Sequence, residues 1–115
     1  MSTDVKAFGK LVFESASEME EVMYQVDDED AASREVKALI DEGVQSNRKV
    51  MHFTIDGALT SDANLWFQEW LGDVVDAARS GSLDTWQEDY GRDKFVRLHA
   101  NGEEEEIGKP FPDRR

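Results

Sequence analysis

The sequence predicts one α+β domain in two layers, a mainly antiparallel sheet of four or five strands packed on one side by about three helices, in chain order β-α-α-β-α-β-β-β. Three observations lead there. The chain has 115 residues, enough for one hydrophobic core and not for two. Apolar residues alternate with polar ones in the stretches that read as strands and recur at helical spacing in the stretches between them. Glycine and Asn-Gly or Asp-Gly pairs punctuate these runs without any repeat or linker. The tail "GKPFPDRR" at 108–115 holds both prolines and is expected to be extended or loose.

The first strand is expected in "FGKLVFE", residues 8–14, where Phe8, Leu11 and Phe13 sit among strand-forming neighbours. Ser17 and Glu20 have capping-box spacing, in which a hydroxyl and a carboxylate satisfy N–H groups that lack a helical partner. Met19, Val22, Met23 and Val26 then follow one helical face, and the stripe fails at "DDED", 27–30. Val36, Leu39 and Ile40 restart it on a new phase. Two helices over 18–26 and 30–42 follow from this, with Asp27 or Asp28 capping the junction and Gly43 closing the second; a single kinked helix is the alternative.

"KVMHFTID", 49–56, alternates Met51, Phe53 and Ile55 against His52, Thr54 and Asp56, a half-buried strand ending in an Asp56-Gly57 turn. Thr60 or Ser61 then caps a helix whose stripe runs through Ala63, Trp66, Phe67, Trp70, Leu71, Val74 and Ala78 as far as Gly81. The last third reads as an antiparallel meander of three short strands.

Two hairpin registers decide which side chains share a face. A two-residue type I′ turn at Asn101-Gly102 sets His99 opposite Glu104, Arg97 opposite Glu106 and Val96 opposite Ile107. The run Glu103 to Glu106 then supplies carboxylates to Arg97 and His99 and guards an edge strand against pairing with other chains. A four-residue loop in "YGRDKF" pairs Tyr90 with Phe95, Glu88 with Arg97 and Trp86 with His99. That register collects Trp86, Glu88, Tyr90, Phe95, Arg97, His99, Glu104 and Glu106 on one face, a candidate surface for a planar or anionic ligand. A loop of odd length would instead pair Trp86 with Leu98 and bury both.

Composition narrows the chemistry. Acidic residues outnumber basic ones 26 to 13, for a formal charge of −13, which opposes binding to nucleic acid or an anionic membrane and favours a basic protein partner; simple solubility is the plain alternative. No Cys is present, so disulfides, thiolate nucleophiles and Cys-based zinc sites are excluded. No leader pattern or long apolar run is seen, and a soluble, cytoplasmic protein is expected. The two histidines, His52 and His99, lack metal-ligand spacing, and "DDED" lacks the spaced ligands of a calcium loop. Phosphate-binding glycine loops and nucleophile motifs are absent, so no catalytic residue, metal or cofactor is expected.

An interaction surface has more support. Glu18, Glu20, Glu21, Asp27, Asp28, Glu29 and Asp30 follow one another without a basic residue. On the helix after Thr60, Leu65 lies opposite the buried stripe beside Glu69 and Asp76, like an apolar anchor with a charged rim. Small size, acidity and several aromatics are shared with many bacterial immunity proteins that cover a basic nuclease or toxin, a likeness of class and not of sequence. The expected function is therefore a non-catalytic acidic module that neutralises a basic partner as an immunity-type inhibitor, with imitation of nucleic acid as one form; the alternative is a ligand-binding or enzymatic domain built on the Trp86 face.

Overall fold

In the computed structural model of the chain, residues 2–23, 30–89 and 92–107 are described, with side chains described over 4–23, 30–86 and 94–107. The elements are β1 (Ser2–Val12), α1 (Ala16–Met23), α2 (Ala31–Gly43), β2 (Val44–Asn47), β3 (Val50–Thr60), α3 (Ser61–Ala77), β4 (Ser80–Asp89), β5 (Arg92–His99) and β6 (Glu104–Ile107). The six strands form one sheet in the order β2-β3-β1-β4-β5-β6, and every neighbouring pair is antiparallel. The α+β class, the two layers and the separate helices before β2 are as the sequence predicts, with a sixth strand beyond the expected four or five.

The sheet buries a single face. Val5, Ala7, Leu11, Met51, Phe53, Ile55, Leu59, Leu83, Val96 and Leu98 all belong to it by strand alternation, and α1, α2 and α3 lay their apolar residues over it. Trp70 is the hub: its ring centroid lies 6.1 Å from those of both Phe53 and Phe67, and its Nε1–H donates to the Val22 carbonyl at 3.2 Å, tying α1 to α3.

Local expectations are corrected in several places. The α1 cap is Ser15, whose Oγ accepts the Glu18 N–H at 3.2 Å; Ser17 lies inside the helix. The cap of α2 is Asp30, which accepts the Ser33 N–H at 2.8 Å while Ser33 Oγ accepts the Asp30 N–H at 3.3 Å. Residues 27 and 28 lie outside the described residues. Thr60 holds the cap position of α3 but donates its hydroxyl to Glu35 Oε2 at 2.8 Å, so the bond joins α3 to α2 and leaves the helix end without a side-chain cap.

Asp56-Gly57 is no turn: β3 runs on to Thr60 because β1, longer than expected, pairs with it as far as Ser2. At Gly57 a Cβ would sit 2.6 Å from Leu39 Cδ1 of α2, the movable end of a partly buried side chain. The strand missed from sequence, β2, is only four residues long, mostly exposed, and turns into β3 through Arg48 and Lys49 with Arg48 at φ 59°.

One glycine departs from this economy. Gly72 lies exposed in the middle of α3, and a Cβ built there meets nothing within 4 Å. Gly72→Ala is therefore expected to raise the unfolding free energy by about 0.5–1 kcal/mol through helix propensity alone, read from the urea midpoint at unchanged m-value.

Candidate functional site: an acidic ridge on α3

Helical periodicity turns one edge of α3 outward, and that edge holds Asp62, Leu65, Glu69, Gly72, Asp73 and Asp76, all exposed. Neither α1 nor α3 contains a basic residue. Leu65 is 66% exposed and is the large exposed hydrophobic among the described residues. Its positions relative to Glu69, Gly72 and Asp76 are i, i+4, i+7 and i+11, so the four run in line along the ridge.

Depressions flank the ridge. On the α1 side, Glu18, Glu21 and Val22 face Asp73 and Ala77 across one, and Trp66, Glu69, Trp70 and Asp73 line a second beside it. On the hairpin side a cavity of about 360 Å³ opens between α3 and the β5–β6 turn, lined by Gln68, Gly72, Val75, Asp76, Leu98, Gly102, Glu103 and Glu104. None of these carboxylates has an ion-pair partner among the described residues.

The paired charges lie elsewhere. Lys6 with Asp56 at 3.6 Å and Arg97 with Asp84 at 2.6 Å occupy the sheet face opposite the helices, where His99 Nε2 also hydrogen-bonds Glu105 Oε1 at 3.0 Å, and Arg79 pairs with Glu14 at the ends of neighbouring strands. Lysine and arginine thus pair with carboxylates on the outer sheet face, whereas the carboxylates of α1 and α3 have no ion-pair partner among the described residues. The Asp84 hydrogen bonds, followed by its charge, hold the Arg97 guanidinium above its ordinary pKa.

The sequence-predicted partner residues divide accordingly. Glu18 and Glu21 meet the α3 ridge with Glu69, Asp76 and Leu65; Glu20 is exposed on α1 but outside these depressions. Asp30 is exposed at the α2 start, away from these depressions, and caps that helix, where backbone and side-chain hydrogen bonds from Ser33 lower its pKa. Asp27, Asp28 and Glu29 lie outside the described residues. Asp73, Trp66 and Glu103 were missed. Asp73 was legible as the i+4 neighbour of Glu69, whereas the hairpin that brings Glu103 to α3 left no local signal.

The alternative face is partly assembled and its registers are corrected. β4 and β5 pair Trp86 with Phe95, Asp84 with Arg97 and Ser82 with His99, four residues away from the expected partners. The inner face decides this: buried Leu98 and Val96 meet Leu83 and Thr85, whereas the expected register would set them against Gln87 and Asp89. Thr85 Oγ1 also donates to the Val96 carbonyl at 2.9 Å. Because four is an even shift, Trp86, Phe95, Arg97 and His99 still share one face. The Tyr90 position and the Glu88 side chain lie outside what is described.

The β5–β6 register slips by one, which changes faces. Gly102 takes φ 88° as the third residue of an Ala100-Asn101-Gly102 loop, with its N–H donating to the His99 carbonyl at 2.9 Å, and Asn101 does not adopt the positive φ that a type I′ turn requires. Glu104 and Glu106 consequently pair with Leu98 and Val96 on the helix side, and the carboxylate beside His99 is Glu105. Trp86 Nε1 is buried with no hydrogen-bond partner among the described residues.

Among the described residues no group of three or more His, Asp and Glu is arranged to hold a metal ion, and no helix is long and apolar enough to cross a membrane. Comparison with known proteins finds no family model, no curated protein and no solved structure that matches the chain.

Proposed function

We propose that the protein is a non-catalytic binding module that neutralises a basic partner, most specifically an immunity-type inhibitor of a toxin or nucleic-acid enzyme. One observation carries the reading: the carboxylates of α1 and α3 stand beside an exposed leucine and flanking depressions with no cation among them in the described residues, while Lys6 and Arg97 pair with carboxylates on the outer sheet face. Solubility alone would not require that arrangement. Uncompensated carboxylates accelerate encounter with a positive surface, and Leu65 with the Trp66 edge supplies apolar area that holds the complex once water leaves. Imitation of a phosphate backbone is the form this takes if the partner is a nucleic-acid enzyme.

The experiment is purification at low salt from the native cell, followed by kinetics with whatever basic protein is retained. The expected partner associates more slowly as NaCl rises, and a Glu69→Lys, Asp73→Lys double variant fails to retain it. Competition by DNA for the same partner identifies the mimic. Absence of a basic partner, or an association rate indifferent to salt, overturns the proposal.

A second reading draws on Trp86 Nε1, a donor without a hydrogen-bond partner among the described residues, on the face shared with Phe95, Arg97 and His99. A small acceptor-bearing ligand bound there would be held undiminished by the α3 double variant, which separates the two readings.

A further inference from the structure

The exposed glycine of α3 has no packing reason to be glycine. Gly43 stands where a Cβ would strike Ile55 Cγ1 at 2.7 Å and press on the Ile55 backbone at 3.0 Å, and Gly102 takes a positive φ, but Gly72 does neither. A mid-helix glycine weakens the helix, and here nothing inside the molecule is gained in return. Gly72 is instead one of the residues that line the cavity between α3 and the β5–β6 hairpin, where it leaves the helix backbone bare.

That cavity has a consistent chemistry. Its floor is apolar, from Val75 and Leu98, which are 4% and 7% exposed. Its rim is anionic, with Asp76 on the helix and Glu103 and Glu104 on the hairpin. A Cβ at Gly102 would lie 3.9 Å from Asp76 Oδ1, so the hairpin tip and the helix carboxylate face each other closely. An aliphatic stem on Val75 and Leu98 with a cationic head among three carboxylates describes an arginine or lysine side chain.

We infer that Gly72 is a close-approach site at which the basic partner's backbone passes over α3 and inserts one arginine or lysine into this cavity. The inference rests on the acidic-binder reading and adds where the partner docks and what it presents. Missing Cβ, apolar floor and anionic rim are separate observations, and one long cation satisfies all three. A neutral or acidic segment would leave the facing carboxylates unneutralised.

The test uses the full chain and a synthetic peptide of alternating arginine and serine, with its arginines replaced by the neutral isostere citrulline as control. Binding is followed by ¹H–¹⁵N correlation spectra and by titration at low salt. The expected result is that the Gly72, Asp76 and Gly102 amides shift with the arginine peptide and stay still with citrulline. Gly72→Leu, which fills the mouth without changing charge and strengthens the helix, should weaken binding about tenfold or more. Asp76→Asn should weaken it more than Asp62→Asn, which removes the same charge at the far end of α3. If the peptide binds but Gly72→Leu binds equally well and the shifts map to α1 instead, the cavity assignment is overturned while the acidic-binder reading stands. If the peptide does not bind at low salt, both fall.

Discussion

Trp70→Ala should lower the unfolding free energy by about 3–5 kcal/mol, a large share of what a domain of this size possesses. The side chain is 2% exposed and packs between Phe53 of β3 and Phe67 one turn earlier in α3, so truncation empties a volume that helix and sheet cannot both close. It also removes the indole N–H from the Val22 carbonyl in the last turn of α1. Near-UV circular dichroism and urea denaturation would check it. Trp70→Phe separates the contributions, because it keeps most of the packing and loses the bond, and should cost about 1–3 kcal/mol. A loss under about 1 kcal/mol for the alanine variant would contradict the packing described.

Gly81→Ala should be comparably severe by a different route. β1 and β4 are the two central strands, and Gly81 pairs with Leu11 at their crossing with φ 104°. A Cβ there would collide with the Lys10 carbonyl oxygen and lie 3.1 Å from Leu11 Cα. Both are backbone atoms of the neighbouring strand, so no rotamer relieves the contact. Strained φ and a forced shift of the central strands together should remove about 2–5 kcal/mol. Gly9→Ala meets the matching obstacle at the Ser82 carbonyl, and the double variant should be insoluble. The opposite sign expected for Gly72→Ala makes the three glycines an internal control for alanine substitution as such.

The layered α+β fold was legible because its elements satisfy local rules. Met51, Phe53 and Ile55 alternate, and the α3 stripe from Ala63 to Val74 repeats at helical spacing, so neither needs distant residues to declare itself. Hairpin registers were less legible, since a turn dipeptide such as Asn101-Gly102 accommodates loops of two or three residues and one residue of difference exchanges the faces. Judging β4 against β5 by the inward residues Leu83, Thr85, Val96 and Leu98 would have found the right pairing. The acidic ridge was half legible: Leu65, Glu69 and Asp76 follow from rotation about one helix, but the Glu103 and Glu104 side of the cavity exists only because a hairpin six strands into the sheet returns to α3.

With the Lys6–Asp56 and Arg97–Asp84 pairs on the outer sheet face and bare carboxylates on α1 and α3, negative charge among the described residues is uneven, greatest where α1 and α3 meet. In the field of a positive surface such a body experiences a torque as well as a pull. It rotates helix-side first before any atoms touch, and fewer collisions are spent on the wrong orientation. On a positively charged chromatographic support the same torque should adsorb the protein by its helices and leave the Trp86 face presented to the solvent.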